Sequence, residues 1–354
     1  MPRFALFLFL PALMFVAGSS LAADKEIKVG FVYVSPVGDE GYTYAHDQGR
    51  RALENMPGVT TSFVESVPEG ADSERVIQNM ARKGFDLIFT TSYGYMDPTI
   101  KVASKFPKTV FMHCSGFKRA DNVGTYFGRM YQARYLSGMV AGTMTKSKIL
   151  GYAAAYPIPE VIRGINAFAL GAQAVNPEVE VRVVWTKTWY DPTTEKEAAK
   201  SLLDVGADVI AMHQDSPGPQ EAAQERGLYS IGYNSDMSKM APKAHMTAPI
   251  WNWGPFYQEI ARQVQAGTWK SADHWPGLES GIVDLSPFGP MVPQEVQDRV
   301  MAAKKDIIEG KLVVFDGPVK DQAGEVRIPA DRAATDEELL SMTWFIEGVV
   351  GTPK

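Results

Sequence analysis

VGFVYVSPVGDEGYTYAHDQGRRALE (Val29–Glu54) sets the fold of this chain. An apolar run closes on Ser-Pro-Val-Gly, and a helix then starts among an acid, a glycine and two tyrosines. A buried strand leading through a glycine turn into an amphipathic helix is the opening unit of a parallel α/β sheet. The turn itself carries Asp39, Gly41 and Tyr42. Asp39 suits a helix cap, and it equally suits a cleft at the carboxyl ends of the strands.

The unit repeats along the chain. After KVGFVYV come strand VTTSFVESV, helix ADSERVIQNMARKG, strand FDLIFTTS, helix DPTIKVASKF and strand KTVFMHCSG. The rhythm then restarts with KILGYAAAY, VIRGINAFALGAQAVN, VEVRVVWTKTW, PTTEKEAAKSLLDVG and ADVIAMHQ. Gly30 against Gly151, Asp86 against Asp208 and Phe111 against Ile231 are each separated by about 120 residues, as two repeated lobes require. The expected fold is therefore α/β, two doubly wound Rossmann-like lobes joined by a hinge of several crossings. Residues 24–143 with about 253–325 form the expected N-terminal lobe, and 144–252 with about 326–354 the C-terminal lobe. KLVVFDGPV is expected as a last strand.

Residues 1–22 read as a cleaved secretory signal peptide, with a basic start, an apolar run broken by Pro11, and Ser20 and Ala22 before the cut. A single cysteine, Cys114, excludes an internal disulfide and a thiol-redox pair, and it leaves no lipobox cysteine after the signal. Net charge is −6 with interspersed signs, against nucleic acid as a partner. The five histidines lack ligand spacing and no hydrolase, nucleotide-loop or zinc motif occurs, so neither metal nor cofactor is expected. Binding is favoured over catalysis.

Candidate binding residues collect where strands end. The first lobe supplies Asp39, Gly41, Tyr42, Ser92, Tyr93 and His113; the second supplies Trp189, Gln214 and Asp236, followed by Trp251 and Trp253. Aromatic rings on two walls can sandwich a flat ring, and Asp or Gln can read its polar edge.

Four stretches in order resemble the basic membrane protein family of ABC-importer substrate-binding proteins, which includes purine-nucleoside receptors. They are VGFVYVSPVGDEGYTYAHDQG, GRMYQARYLSGMVAG, WYDPTTEKEAAKSLLDVGADVI and IGYNSD. The resemblance implies the type I periplasmic binding protein fold, with the base met by Asp39, Gly41 and Tyr42. It implies stacking by Trp189, ribose hydroxyls on Asp236, and Asn166 facing the cleft. It departs at MTAPIWNW, where Trp251 stands near an expected basic position. A free nucleobase such as adenine is therefore kept beside a nucleoside. The implied role is a monomeric, non-enzymatic periplasmic receptor that delivers a purine to an ABC permease in the inner membrane. A receptor for a sugar or another small polar ligand, and a secreted nucleoside hydrolase, are the alternatives.

Overall fold

The computed structural model describes Met1 and residues 25–354; the signal segment and its cleavage site lie outside the described residues. The first sheet is built from β1 (Ile27–Val32), β2 (Val59–Val64), β3 (Leu87–Thr90), β4 (Val110–Cys114) and β5 (Val123–Tyr126). Helices α1 (Gly41–Leu53), α2 (Ala71–Arg82) and α3 (Met96–Ala103) connect its first four strands. Helix α4 (Met130–Met144) leads to the second sheet, of β6 (Ile149–Ala154), β7 (Glu180–Trp185), β8 (Val209–His213), β9 (Tyr229–Ile231) and β10 (His245–Thr247). There the crossovers are α5 (Pro159–Val175), α6 (Pro192–Asp204) and α7 (Gly218–Glu225).

Strand order is β2-β1-β3-β4-β5 in one sheet and β7-β6-β8-β9-β10 in the other, all parallel. The repeat read from the sequence is therefore a repeat of topology. One residue pair shows why it is encoded. A side chain on Gly30 would strike Met80 and Phe85, and one on Gly151 would strike Ile210, Leu202 and Ala207. In both lobes the first strand is kept bare at this point so that neighbouring side chains can lie directly on it.

The remaining chain stitches the lobes together. After β11 (Pro249–Trp251) come α8 (Gly254–Ala266), β12 (Asp273–His274), β13 (Val283–Leu285), α9 (Gln294–Ile308), β14 (Val319–Lys320), β15 (Val326–Ile328), α10 (Asp336–Leu340) and β16 (Val349–Val350). Strand β12 extends the first sheet beside β5, whereas β16 edges the second beside β7. The chain thus crosses at residues 127–129, 252–253 and 275–277. Phe127 N donates to His274 O at 2.9 Å and Arg129 N to Pro276 O at 2.7 Å, lashing two crossings together.

Two elements depart from the expected lobe boundaries. Helix α4 packs on α5, not on the first sheet: a Cβ on Gly138 would lie 2.0 Å from Phe168 O, and one on Gly171 would lie 1.9 Å from Tyr135 O. Helix α9 lies against α4 in turn, so residues 278–308 stay with the second lobe. Apolar periodicity gives a helix but not the lobe that it covers. The stretch KLVVFDGPV is irregular up to Val319 rather than a strand.

Candidate functional site

The order β2-β1-β3 reverses direction between β1 and β3, and the same reversal falls between β6 and β8. Such switch points open a crevice at the strand ends. The two crevices face each other, and the turn at Gly41 brings them into contact. Gly41 has φ +91°, and its N–H donates to Ser235 Oγ of the opposite lobe at 2.9 Å. A Cβ there would lie 2.2 Å from Asp215 O, also of the opposite lobe. The lobes are shut.

Glu40, the residue before α1, carries the cap position without a side-chain capping bond, while Asp39 is exposed and outside the cavity. One carboxyl oxygen of Glu40 is buried without a partner among the described residues. Burial, then Asp39, Asp236 and Glu221, push its pKa up to about 7, with Lys239 opposing. Asp236 and Glu221 belong to the other lobe, so closing takes up a proton and the closed form loses ground as pH rises through this range. Ligand affinity is expected to be higher at pH 6 than at pH 8, and Glu40→Gln to flatten part of that difference. Titration calorimetry at both values checks it; identical pH profiles for the two proteins would remove Glu40 as the cause.

Between the lobes lies a narrow cavity of about 20 Å³, within about 340 Å³ of atom-free space counting what is open to solvent. Val34, Tyr42, Ser92, Tyr93, Ser115 and Phe127 form its first-lobe wall; Glu160, Trp189, His213, Asp215 and Tyr233 form the other. Each wall is held from behind. The Tyr42 hydroxyl donates to Cys114 Sγ at 3.3 Å, and Ser92 Oγ donates to Glu69 at 2.6 Å. Trp189 leans on Tyr156 with ring centres 5.0 Å apart, and the Arg134 guanidinium lies 3.5 Å from the Tyr233 ring centre. Tilted ring–ring and cation–π contacts of this kind fix ring planes.

The polar groups are acidic. Burial, reinforced by Glu195 and Glu160, raises the Asp215 pKa well above the usual carboxylate range, against an amide bond from Asn234. Burial lifts Glu160 to about 7, opposed by Arg163 and Ser115. His213 is kept neutral by burial and by Arg134 and Arg163, and among the described residues its Nδ1 has no hydrogen-bond partner. Among the described residues no lysine or arginine lines this cavity. Its carboxyls can accept hydrogen bonds and, when protonated, donate them, and it holds no cation to pair with an anion.

Of the residues singled out from sequence, Tyr42, Ser92, Tyr93 and Trp189 share this cavity. Gly41 serves the lobe contact. His113 lies behind the wall, with Nε2 2.9 Å from Ser92 O, and Gln214 donates to Thr186 Oγ1 at 2.7 Å. Trp251 and Trp253 are buried and stacked 4.5 Å apart, Trp251 against Phe127 and Trp253 against His46. Asn166 is turned away from the cleft: its amide donates to Trp344 O and accepts from Ile346 N. Asp236 is exposed, accepts from Ser238 N and lies 3.6 Å from His245, so it lines no part of the cavity. Glu160, Phe127 and Tyr233 were not legible as site residues. Glu160 had one available signal, since it opens α5 after β6 as Tyr42 opens α1 after β1.

Shut lobes around an aromatic, acceptor-lined cavity define a solute-binding protein of the two-lobed periplasmic type. The solute-binding protein of an ABC transporter system from Aeropyrum pernix superposes with a TM-score of 0.71 at 22% identity, over 83% of this chain and 93% of that one. Residues 26–315 match the model of the Bmp family, described as ABC transporter substrate-binding protein PnrA-like. The chain belongs to that family. A purine-binding protein of Brucella abortus is 46% identical over 95% of this chain and 96% of its own length. A Haloferax volcanii protein, named for glucose binding by an ABC transporter, is 40% identical over 94% of this chain and 83% of its own. Among the described residues no helix is long and apolar enough to cross a membrane.

Proposed function

We propose that the protein captures a purine, as nucleobase or nucleoside, in the interlobe cavity and hands it to an ABC permease from the periplasm. One observation carries this reading: rings from both lobes, with Tyr42, Tyr93 and Phe127 facing Trp189 and Tyr233, enclose the same space as the acceptors Asp215 and Glu160. A purine offers two faces for stacking and ring or exocyclic N–H donors for the carboxyls. A nucleotide phosphate would be buried there with no cation to pair with it. Because the ligand touches both lobes, it binds the shut form better than the open one and draws the protein closed.

Calorimetry on ligand-stripped protein with adenine, guanine, adenosine, guanosine, inosine and glucose tests the assignment. Micromolar or tighter binding of at least one purine is expected. Binding of glucose alone would overturn it and align the protein with the Haloferax relative. Release of hypoxanthine from inosine would replace the receptor reading with a hydrolase.

A further inference from the structure

The hydrogen bonds around Asp215 run in one direction, and a tryptophan sets it. Trp251 Nε1 donates to Asn234 Oδ1 at 3.0 Å. An indole N–H can only donate, so the oxygen of the Asn234 amide is turned to Trp251 and its NH2 to the other side. That NH2 faces Gln214 O at 3.2 Å and Asp215 Oδ1 at 3.4 Å. Asn234 is held in place. It is fully buried at φ +70°, a conformation that asparagine tolerates, and its backbone pairs with β11 through Pro249 O and Trp251 N.

Trp251 is fixed in turn. Its buried ring packs between Trp253 and Phe127, and a Cβ on Gly128 would lie 2.6 Å from it. The two oxygens of Asp215 are thereby made different. Oδ1 accepts from Asn234, whereas Oδ2 makes no hydrogen bond among the described residues and is not sealed from the cavity that Asp215 lines. Burial, with Glu195 and Glu160 close by, favours the protonated carboxyl over the carboxylate. With Oδ1 committed as an acceptor, the proton belongs on Oδ2, and the group shows the cavity an O–H.

We propose that Asn234, oriented by Trp251, is a positioning residue that presents Asp215 to the ligand as a hydrogen-bond donor, through Oδ2, to an unprotonated ring nitrogen. The inference rests on the purine reading and refines it, because Asp215 then donates to the base instead of accepting from it. Purines carry such ring nitrogens, as adenine N7 and N3 do, whereas a sugar has none. The feature selected is a lone pair at one ring position.

Each purine that binds in the calorimetric series is titrated beside its 3-deaza and 7-deaza analogues, and adenine and adenosine also beside the 1-deaza analogue. Each analogue replaces one ring nitrogen by C–H. In wild type one of these replacements should weaken binding by about tenfold or more, because a buried O–H then loses its partner. Trp251→Phe keeps a ring between Phe127 and Trp253 but frees the amide to turn its oxygen to Asp215. Asn234→Asp sets oxygen against oxygen at the same place. Both draw the proton to Oδ1 and should reduce the penalty to about twofold or less. Asp215→Asn puts an N–H where the O–H stood and should keep the penalty. Ligand-free melting temperatures verify that the three variants are folded. If every deaza analogue binds wild type as well as its parent, the donor role is refuted while the purine reading stands. A full penalty in both Trp251→Phe and Asn234→Asp refutes the positioning role. A penalty lost in Asp215→Asn shows that the carboxyl is read as an acceptor and refutes the inference. Failure of every purine to bind wild type overturns both.

Discussion

Replacing Trp189 with alanine is expected to weaken purine binding by about 1–3 kcal/mol, the range for one base–aromatic stack. That corresponds to roughly 5- to 150-fold in affinity. Trp189 belongs to the second-lobe wall, facing Tyr42 and Tyr93 across the cavity. Its indole is partly buried and rests on Tyr156, so its orientation is set before ligand arrives. The loop that carries it is independently anchored. Asp191 caps α6 through the amides of Thr193 and Thr194, and Trp189 O accepts from Asp215 N at 3.2 Å. Alanine should therefore remove a stacking face and leave the loop in place. Calorimetry measures the loss, and Trp189→Phe should recover part of it. Equal affinity for wild type and alanine variant would end the two-wall sandwich.

Gly41→Ala should act on closure instead. Its Cβ would be 2.2 Å from Asp215 O, where ordinary contact begins at 3.4 Å, and the atom opposite is backbone. The positive φ costs about 1–2 kcal/mol in any L-residue, but it is shared by open and closed forms and largely cancels. The clash exists only when the lobes meet. A binding-competent state whose population drops a hundredfold lowers apparent affinity by the same factor, and a loss of that order is expected. Ser235→Ala removes only the hydrogen bond to Gly41 N, about 0.5–1.5 kcal/mol. X-ray scattering with and without ligand separates the two: the glycine variant should fail to compact, and the serine variant should compact normally. Full ligand-induced compaction of Gly41→Ala would show that the contact does not gate closure.

The lobes were legible because one unit is written twice, with the same strand–turn–helix grammar and a bare glycine at the same point of each lobe's first strand. The strand ends were legible too, and with them Tyr42, Ser92, Tyr93 and Trp189. Side-chain direction was not. Asp236 and Tyr233 stand three residues apart in one strand-end loop, yet Tyr233 enters the cavity and Asp236 faces solvent. Asn166 and Arg163 lie one turn apart on α5, and only the arginine lines the hollow beside the hinge crossing at Trp275. Which of two neighbours faces the ligand depends on what the rest of the chain lays against the other. For Asn166 that is the backbone of Trp344 and Ile346, and for the pair Trp251 and Trp253 it is Phe127 and His46. These partners are distant in sequence, so no local pattern announces them. Helix α4 illustrates the same limit at larger scale: its small residues call for a close neighbour without saying which lobe provides it.

The edge strand β16 has a practical consequence. Because β1 lies inside the first sheet and β16 borders the second, Lys25 and Lys354 ride on opposite jaws of the clamp. A donor dye at one and an acceptor at the other convert the hinge angle into an optical signal, without touching the cavity or the contact at Gly41. The architecture thus carries the layout of a single-chain optical reporter, read at its two ends, for whatever solute draws the jaws together.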